Sequence, residues 1–328
     1  MKRLVLGTIV STIFIYFSFQ GVELDKALRG IKDTNYIFLI PAIALFLIPP
    51  LLKSLRWGII LSPIESVSLK RLIPIICVGQ MAVVMIPMRL GELMRPYLLS
   101  SEREISLSSS IATIFVERIF DLLTVLSISF LVVFCTGDSV WFARAGYSLL
   151  VIIVVLILFV LLSHFRTETM LKLFNPLLNK LPGRFHVKIE SLVHAFVTGF
   201  KIISSPKKLI YTLILSFLIW GCFGLGIFML LRFCNFQLSP IVAFVILIST
   251  VIGVSLPTAP GMVGNFHYAT IVALALFGIS KSEALSFSIL YHLTAIGKHI
   301  LLGLIFLPSV QISFKDMLKR YGLEKKRA

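Results

Sequence analysis

Two groups of charged residues stand where charge is disfavoured. In "MIPMRLGELMRPYLLSSE", residues 85–102, Arg89, Glu92 and Arg95 recur every third position among Met, Leu and Pro. In "FVERIFDLL", residues 115–123, Glu117, Arg118 and Asp121 interrupt an apolar run. A charge at the centre of a spanning helix is unfavourable by about 2.5–3.5 kcal/mol on insertion scales, so such groups face one another or a wet cavity. Glu117 and Asp121 are four apart and share a helix face, and Arg118, three before Asp121, is close enough to pair with it. Two chemistries fit. The six groups, three acidic and three basic, can neutralise one another and fix neighbouring segments. Alternatively, Arg89 and Arg95 face a cavity and bind an anionic headgroup such as a phosphate, for which a planar guanidinium is suited. The two are compatible, since a carboxylate can hold one arginine while another takes a ligand.

A second candidate region is "PTAPGMVGNFHY", residues 257–268. Its Pro260, Gly261 and Gly264 build a turn to which a ligand or a backbone can come close. His267 and His292 can titrate, donate hydrogen bonds or simply pack. Lys298 has no carboxylate within a helical turn, so it needs a partner from elsewhere or an aqueous lining. No Walker motif, strand-linked G-x-G-x-x-G or H-E-x-x-H is present,. The four cysteines form no C-x-x-C and read as small buried hydrophobes,. No cofactor, no metal and no enzymatic activity are expected.

The elements that position these residues follow from solvation. Of 328 residues, 58% are hydrophobic and 14% charged, against roughly 45–50% and about 25% in a soluble domain. This is the composition of a polytopic, all-α membrane protein, because only helices or closed barrels satisfy their own backbone in lipid. Six windows read as full spans: 4–19, 36–57, 107–134, 145–163, 209–231 and 284–307,. Two others, 72–99 and 240–278, are broken by Pro74, Pro87, Gly91 and Pro96 and by "LPTAPGMVGN". Each reads as a re-entrant hairpin. The opening "MKRLVLGTIVSTIFIYFSFQ" resembles a signal peptide without a small-residue cleavage site and is expected to be a retained helix,. In 164–208, Leu192, Phe196, Phe200 and Ile203 recur at helical spacing. An amphipathic interfacial helix is expected there, serving as a cytoplasmic cover or as a headgroup-binding element.

With the N-terminus cytoplasmic, 23 of the 31 Lys and Arg residues fall in inner segments and 6 in outer ones. That asymmetry accounts for the net charge of +16 without nucleic acid and places both termini on the cytoplasmic side of the cell inner membrane. Pro87 to Gly91 and Pro257 to Gly261 share one spacing, and "ISLSSSIATIFVER" matches "ISKSEALSFSILYH" without a gap. The chain therefore reads as one membrane domain, 1–328, with repeat cores at 72–134 and 240–307. The hairpins would enter from opposite sides as inverted repeats, an arrangement that points to a transporter's substrate site.

On "RLGELMRPYLLS", "FVERIFDLL" and "PTAPGMVGNFHYATIVALALFG", the sequence resembles the lysylphosphatidylglycerol synthase transmembrane-region family, also called flippase-like or UPF0104 proteins. Relatives include the membrane half of enzymes that make aminoacylated phosphatidylglycerol and move it across the bilayer, and stand-alone proteins linked to hopanoid or surface-glycan lipids. The resemblance implicates Arg89, Glu92, Arg95, Glu117, Arg118 and Asp121, with the Pro260–Gly261 turn. Many relatives have a second Gly at Met262 and often a carboxylate at His267. The aminoacyltransferase domain of the bifunctional relatives has no counterpart in the tail "KDMLKRYGLEKKRA", so lipid synthesis is not expected. The expected function is a translocase moving an anionic or phosphate-bearing lipid between leaflets. The alternatives are an integral-membrane lipid-modifying enzyme, or an accessory subunit of a separate lipid or glycolipid enzyme. The expected partners are a membrane lipid and, beyond it, such an enzyme or a second copy of the chain.

Overall fold

The computed structural model describes residues 2–23, 34–86, 91–102, 105–136, 147–155, 158 and 205–310. These are helical wherever they are regular, and no strand occurs among them. Helix α1 is Lys2–Phe19. A 3-10 turn at Tyr36–Phe38 leads into α2, Leu39–Leu61. Then come α3, Leu69–Met85, α4, Met94–Glu102, and α5, Leu107–Thr136. After a helical stretch at 147–155 follow α6, Pro206–Phe233, α7, Pro240–Ser255, and α8, Asn265–Ala275. Helix α9, Lys281–His292, continues through a π-helical turn, Leu293–Gly297, into α10, Lys298–Phe306.

Four segments among the described residues are long and apolar enough to cross a membrane: Tyr36–Leu61, Leu107–Cys135, Pro206–Phe233 and Lys281–Ser309. With the 18 residues of α1, five of the six windows read from the sequence are helices. The window at 145–163 is described only at 147–155 and 158, and the amphipathic segment lies almost wholly outside the described residues. The chain is an all-α membrane protein.

Both broken windows are broken, but not by every proline in them. Pro74 sits inside α3, and Pro96 is the third residue of α4, in the first turn, where a missing N–H removes no intrahelical bond. The α3 helix stops at Met85, before Pro87. In the second window α7 ends at Ser255 and α8 begins at Asn265, with a 3-10 turn at Pro260–Met262 between them. The paired Ile-Ser sequences start helices by the same device. The Ser106 hydroxyl accepts from the Ser109 amide at 3.1 Å, and Ser280 forms a capping box with Glu283 at the head of α9,.

The chain divides into two compact units, one of Met1–Leu51, Pro74–Arg95 and Gly221–Ala328, the other of Leu52–Ile73 and Pro96–Trp220. In the first, α8 packs against α1, α7 and α9. Ser11 of α1 stitches the second hairpin's turn: its hydroxyl accepts from the Ala259 amide at 2.7 Å and faces Asn265 Oδ1 at 3.5 Å. Gly264 has φ +89, and a Cβ on it would lie 2.5 Å from the Ser11 carbonyl oxygen, so only glycine admits α1 this closely. Gly91 meets α3 in the same way, since its Cβ would fall 2.2 Å from the Ala82 carbonyl.

In the second unit Trp57 is fully buried and its indole donates to Thr113 at 3.0 Å. Most hydroxyls in the helices turn back onto their own backbone, as Thr124 does onto the Phe120 carbonyl and Thr212 onto that of Lys208. This satisfies them without water. The few polar groups that reach across helices stand out against that background.

Candidate functional site

The second unit holds the densest of these crossings. Arg56, on α2, is fully buried. Its Nη1 donates to Asp121 Oδ1 at 2.7 Å and to Ser216 Oγ at 2.7 Å, and its Nη2 lies 3.4 Å from Glu117 Oε1. From the other side Arg118 Nη2 reaches Glu117 Oε1 at 2.8 Å and Asp121 Oδ2 at 3.4 Å. The Trp220 indole adds a hydrogen bond to Asp121 Oδ1 at 3.1 Å. Ser216 passes the chain on, donating to the Thr212 carbonyl at 2.8 Å.

The helical spacing predicted from Glu117 and Asp121 produces this arrangement. Both carboxylates leave one face of α5; α2 supplies the guanidinium and α6 the indole that meet them, while the Ser216 hydroxyl of α6 accepts from that guanidinium. Glu117 is fully buried, whereas the Arg118 side chain is 42% exposed. Lys53, one turn before Arg56 on α2, lies in the field of Asp121 and Glu117. The group thus holds three formal cations and two carboxylates. Two carboxylates anchored by a buried arginine hold the second arginine at the surface, where it can exchange a carboxylate for an incoming phosphate.

Arg56 is not among the sequence-derived candidates: the span reads as ending at Trp57, with Lys53 and Arg56 counted among the basic residues of an inner loop, 53–71. The structure corrects this: α2 runs on to Leu61. The signal was the apolar "WGIIL" after Arg56, which shows that the span does not stop at the charge. Of the first hairpin's candidates, Arg89 lies outside the described residues. Glu92 is half-buried in a turn at 91–93. Arg95 is buried, its stem lying where a Cβ on Gly79 would be, 2.2 Å from the arginine Cγ.

In the first unit the second hairpin brings its histidines together. His267 Nδ1 lies 3.0 Å from Ser288 Oγ, His292 Nε2 lies 2.7 Å from the Gly261 carbonyl oxygen, and the two rings are 4.8 Å apart. His292 donates there, since a carbonyl can only accept. Pro260 opens the 3-10 turn, Gly261 has φ +76 and Met262 φ +59. Met262 thus holds the left-handed conformation that glycine adopts more readily.

Lys298 finds the partner that the sequence could not name. Its Nζ donates to the Phe46 carbonyl at 2.8 Å and sits 5.1 Å and 4.8 Å from the ring centres of Phe46 and Phe223. That carbonyl is available for a plain reason. Its α-helical donor would be the amide four residues on, and that residue is Pro50, inside α2,. Among the described residues no three His, Cys, Asp or Glu side chains group as a metal site, and all four cysteines are free.

The family model described as the lysylphosphatidylglycerol synthase TM region matches residues 4–303. The chain belongs to that family. It is 26% identical over 244 residues to a UPF0104 membrane protein of Methanocaldococcus jannaschii, covering 74% of this chain and 97% of the relative. It is also 26% identical over 332 residues to a UPF0104 membrane protein of Methanothermobacter thermautotrophicus, covering 96% of each. In this lysylphosphatidylglycerol synthase TM-region protein, the matched span contains the ion cluster, both hairpins and Lys298.

Proposed function

We propose that the protein moves an anionic, phosphate-bearing lipid between membrane leaflets, with Arg118 as the headgroup's contact. The supporting observation is the half-exposed Arg118 guanidinium, held by Glu117 and Asp121 while Arg56 anchors both carboxylates from the buried side. A phosphate that displaces one carboxylate from Arg118 leaves that carboxylate still facing Arg56. Release therefore strands no charge, and the headgroup exchanges without a large barrier. The tails stay in lipid, and movement is passive or driven by a gradient. Membership of the lysylphosphatidylglycerol synthase TM-region family supports a lipid as cargo. The distribution of basic residues supports the cytoplasmic membrane with both termini inside, even after Lys53 and Arg56 are taken out of the loop.

Leaflet exchange in proteoliposomes tests this, using labelled phosphatidylglycerol, phosphatidylcholine and a polyprenyl phosphate. Exchange of a phosphate-bearing anionic class that is lost in Arg118→Gln, with the unfolding midpoint retained, is the expected result. Arg95→Ala, run in parallel, reports whether the first hairpin shares the task. No exchange of any class by folded protein would sink the proposal. Chemical conversion of the lipid would point to an enzyme, and activity only with a co-purifying partner to an accessory subunit.

A further inference from the structure

The ends of α2 and α6 frame a polar feature that the ion cluster does not use. A groove of roughly 310 Å3 opens there, lined by the apolar Leu55, Ile59 and Val67 and by the polar Ser62, Lys208 and Tyr211. One span ends at Leu61 and another begins at Pro206, so the groove sits where both helices leave the apolar layer. Lys208 Nζ donates to Ser62 Oγ at 2.7 Å. An ammonium carries three protons, and among the described residues Lys208 pairs with no carboxylate. The segments that carry the groove also hold Lys70, Arg71 and Lys207 against Glu65, so they are basic in sum.

We infer that this groove binds an anionic phospholipid, its phosphate on Lys208, Ser62 and Tyr211 and one acyl chain along Leu55, Ile59 and Val67. The chemistry selects that occupant. A lysine at the interface extends its charge toward headgroup level while its stem stays in lipid, and tyrosine favours the same depth. A cluster of basic residues there attracts anionic headgroups. The same helix pair leads inward to the cluster. Ser62, the residue just past the end of α2, is six from Arg56, about 9 Å at helical rise, and Lys208 is eight from Ser216 on α6, about 12 Å. If the transport reading holds, on which this role rests, the groove is where the lipid waits before its phosphate reaches the arginines.

Native mass spectrometry of the full chain in detergent, titrated with dioleoylphosphatidylglycerol or dioleoylphosphatidylcholine, tests the groove. It is run on Arg118→Gln, so that the cluster's own contact does not mask the result. Phosphatidylglycerol adducts should exceed phosphatidylcholine adducts. Lys208→Gln should lower phosphatidylglycerol occupancy about fivefold, and Lys208→Arg should restore it. Ser66→Trp, which puts an indole on the groove's lining, should remove the adduct, with the unfolding midpoint of each variant as the folding control. Occupancy unchanged in both Lys208→Gln and Ser66→Trp overturns the inference. So does displacement of the lipid by millimolar glycerol phosphate or inorganic phosphate, which would make this a phosphate site and not a lipid site. Wild-type protein that retains phosphatidylglycerol through Lys208 yet exchanges no lipid between leaflets supports the groove and removes the transport reading.

Discussion

Arg56 and Lys298 are both cations buried inside helices of a membrane protein, and the two units solve the problem differently. Around Arg56 the solution is built from side chains: two carboxylates, a hydroxyl and, behind them, a second arginine and an indole. Around Lys298 it is built from backbone and ring faces, a carbonyl released by Pro50 and the π-clouds of Phe46 and Phe223. A carboxylate partner can be traded for another anion, whereas a backbone carbonyl is fixed in the helix that carries it. The first arrangement suits exchange with a ligand. The second suits a permanent joint between α2 and α10.

The sharpest way to break this contrast is Arg56→Met, which takes from two buried carboxylates the guanidinium that anchors both. Loss of one partner from a buried charge network is destabilising by about 3–5 kcal/mol, so the unfolding midpoint in detergent should fall steeply. Combining it with Glu117→Gln and Asp121→Asn should recover most of that loss. If the triple variant is no better than the single one, the network is not the reason.

Lys298→Met should have a smaller effect, about 1–3 kcal/mol, because it leaves the Phe46 carbonyl facing apolar surroundings. Pro50→Ala restores a backbone donor for that carbonyl, so Lys298→Met should be much milder in that background. A double-mutant cycle without coupling would refute the proline explanation. Trp220→Phe removes one donor from Asp121 and should be destabilising by about 1 kcal/mol, measured the same way. Arg118→Gln should shift stability least, by under about 1 kcal/mol, since its side chain is 42% exposed,. It should nonetheless lose lipid exchange, and retained exchange would take Arg118 out of the proposed site.

What the sequence made legible was local. Helical spacing put Glu117 and Asp121 on one face, and the Ile-Ser pairs marked the starts of α5 and α9 through the hydroxyls of Ser106 and Ser280. The turn after α7 announced itself by Pro257, Pro260, Gly261 and Gly264. What stayed hidden was which helix meets which. Pro49 and Pro50 lie inside a window that reads as one uninterrupted span, and nothing near them names Lys298, some 250 residues on, as the group that fills the gap. Arg56 failed for another reason: beside Lys53 it looked like the start of a loop, although the apolar run continues past it. Pro96 carries less weight than its type suggests, because in the first turn of α4 its missing amide has no intrahelical partner to lose,, whereas Pro74 is simply accommodated inside α3.

The stitch from Ser11 to Ala259 and Asn265 also sets an order of assembly. Every residue of the second unit, which ends at Trp220, is synthesised between the two sides of that stitch. At about 5–20 residues per second, α1 waits on the order of ten seconds to a minute before its partner turn exists. The second unit, with its ion cluster, can thus be complete while the first is still open. The Ser11 hydroxyl gains its partners only once Ala259 and Asn265 have been made, and a nascent chain stalled before residue 259 would contain Arg56 and Arg118 but not the second hairpin's turn.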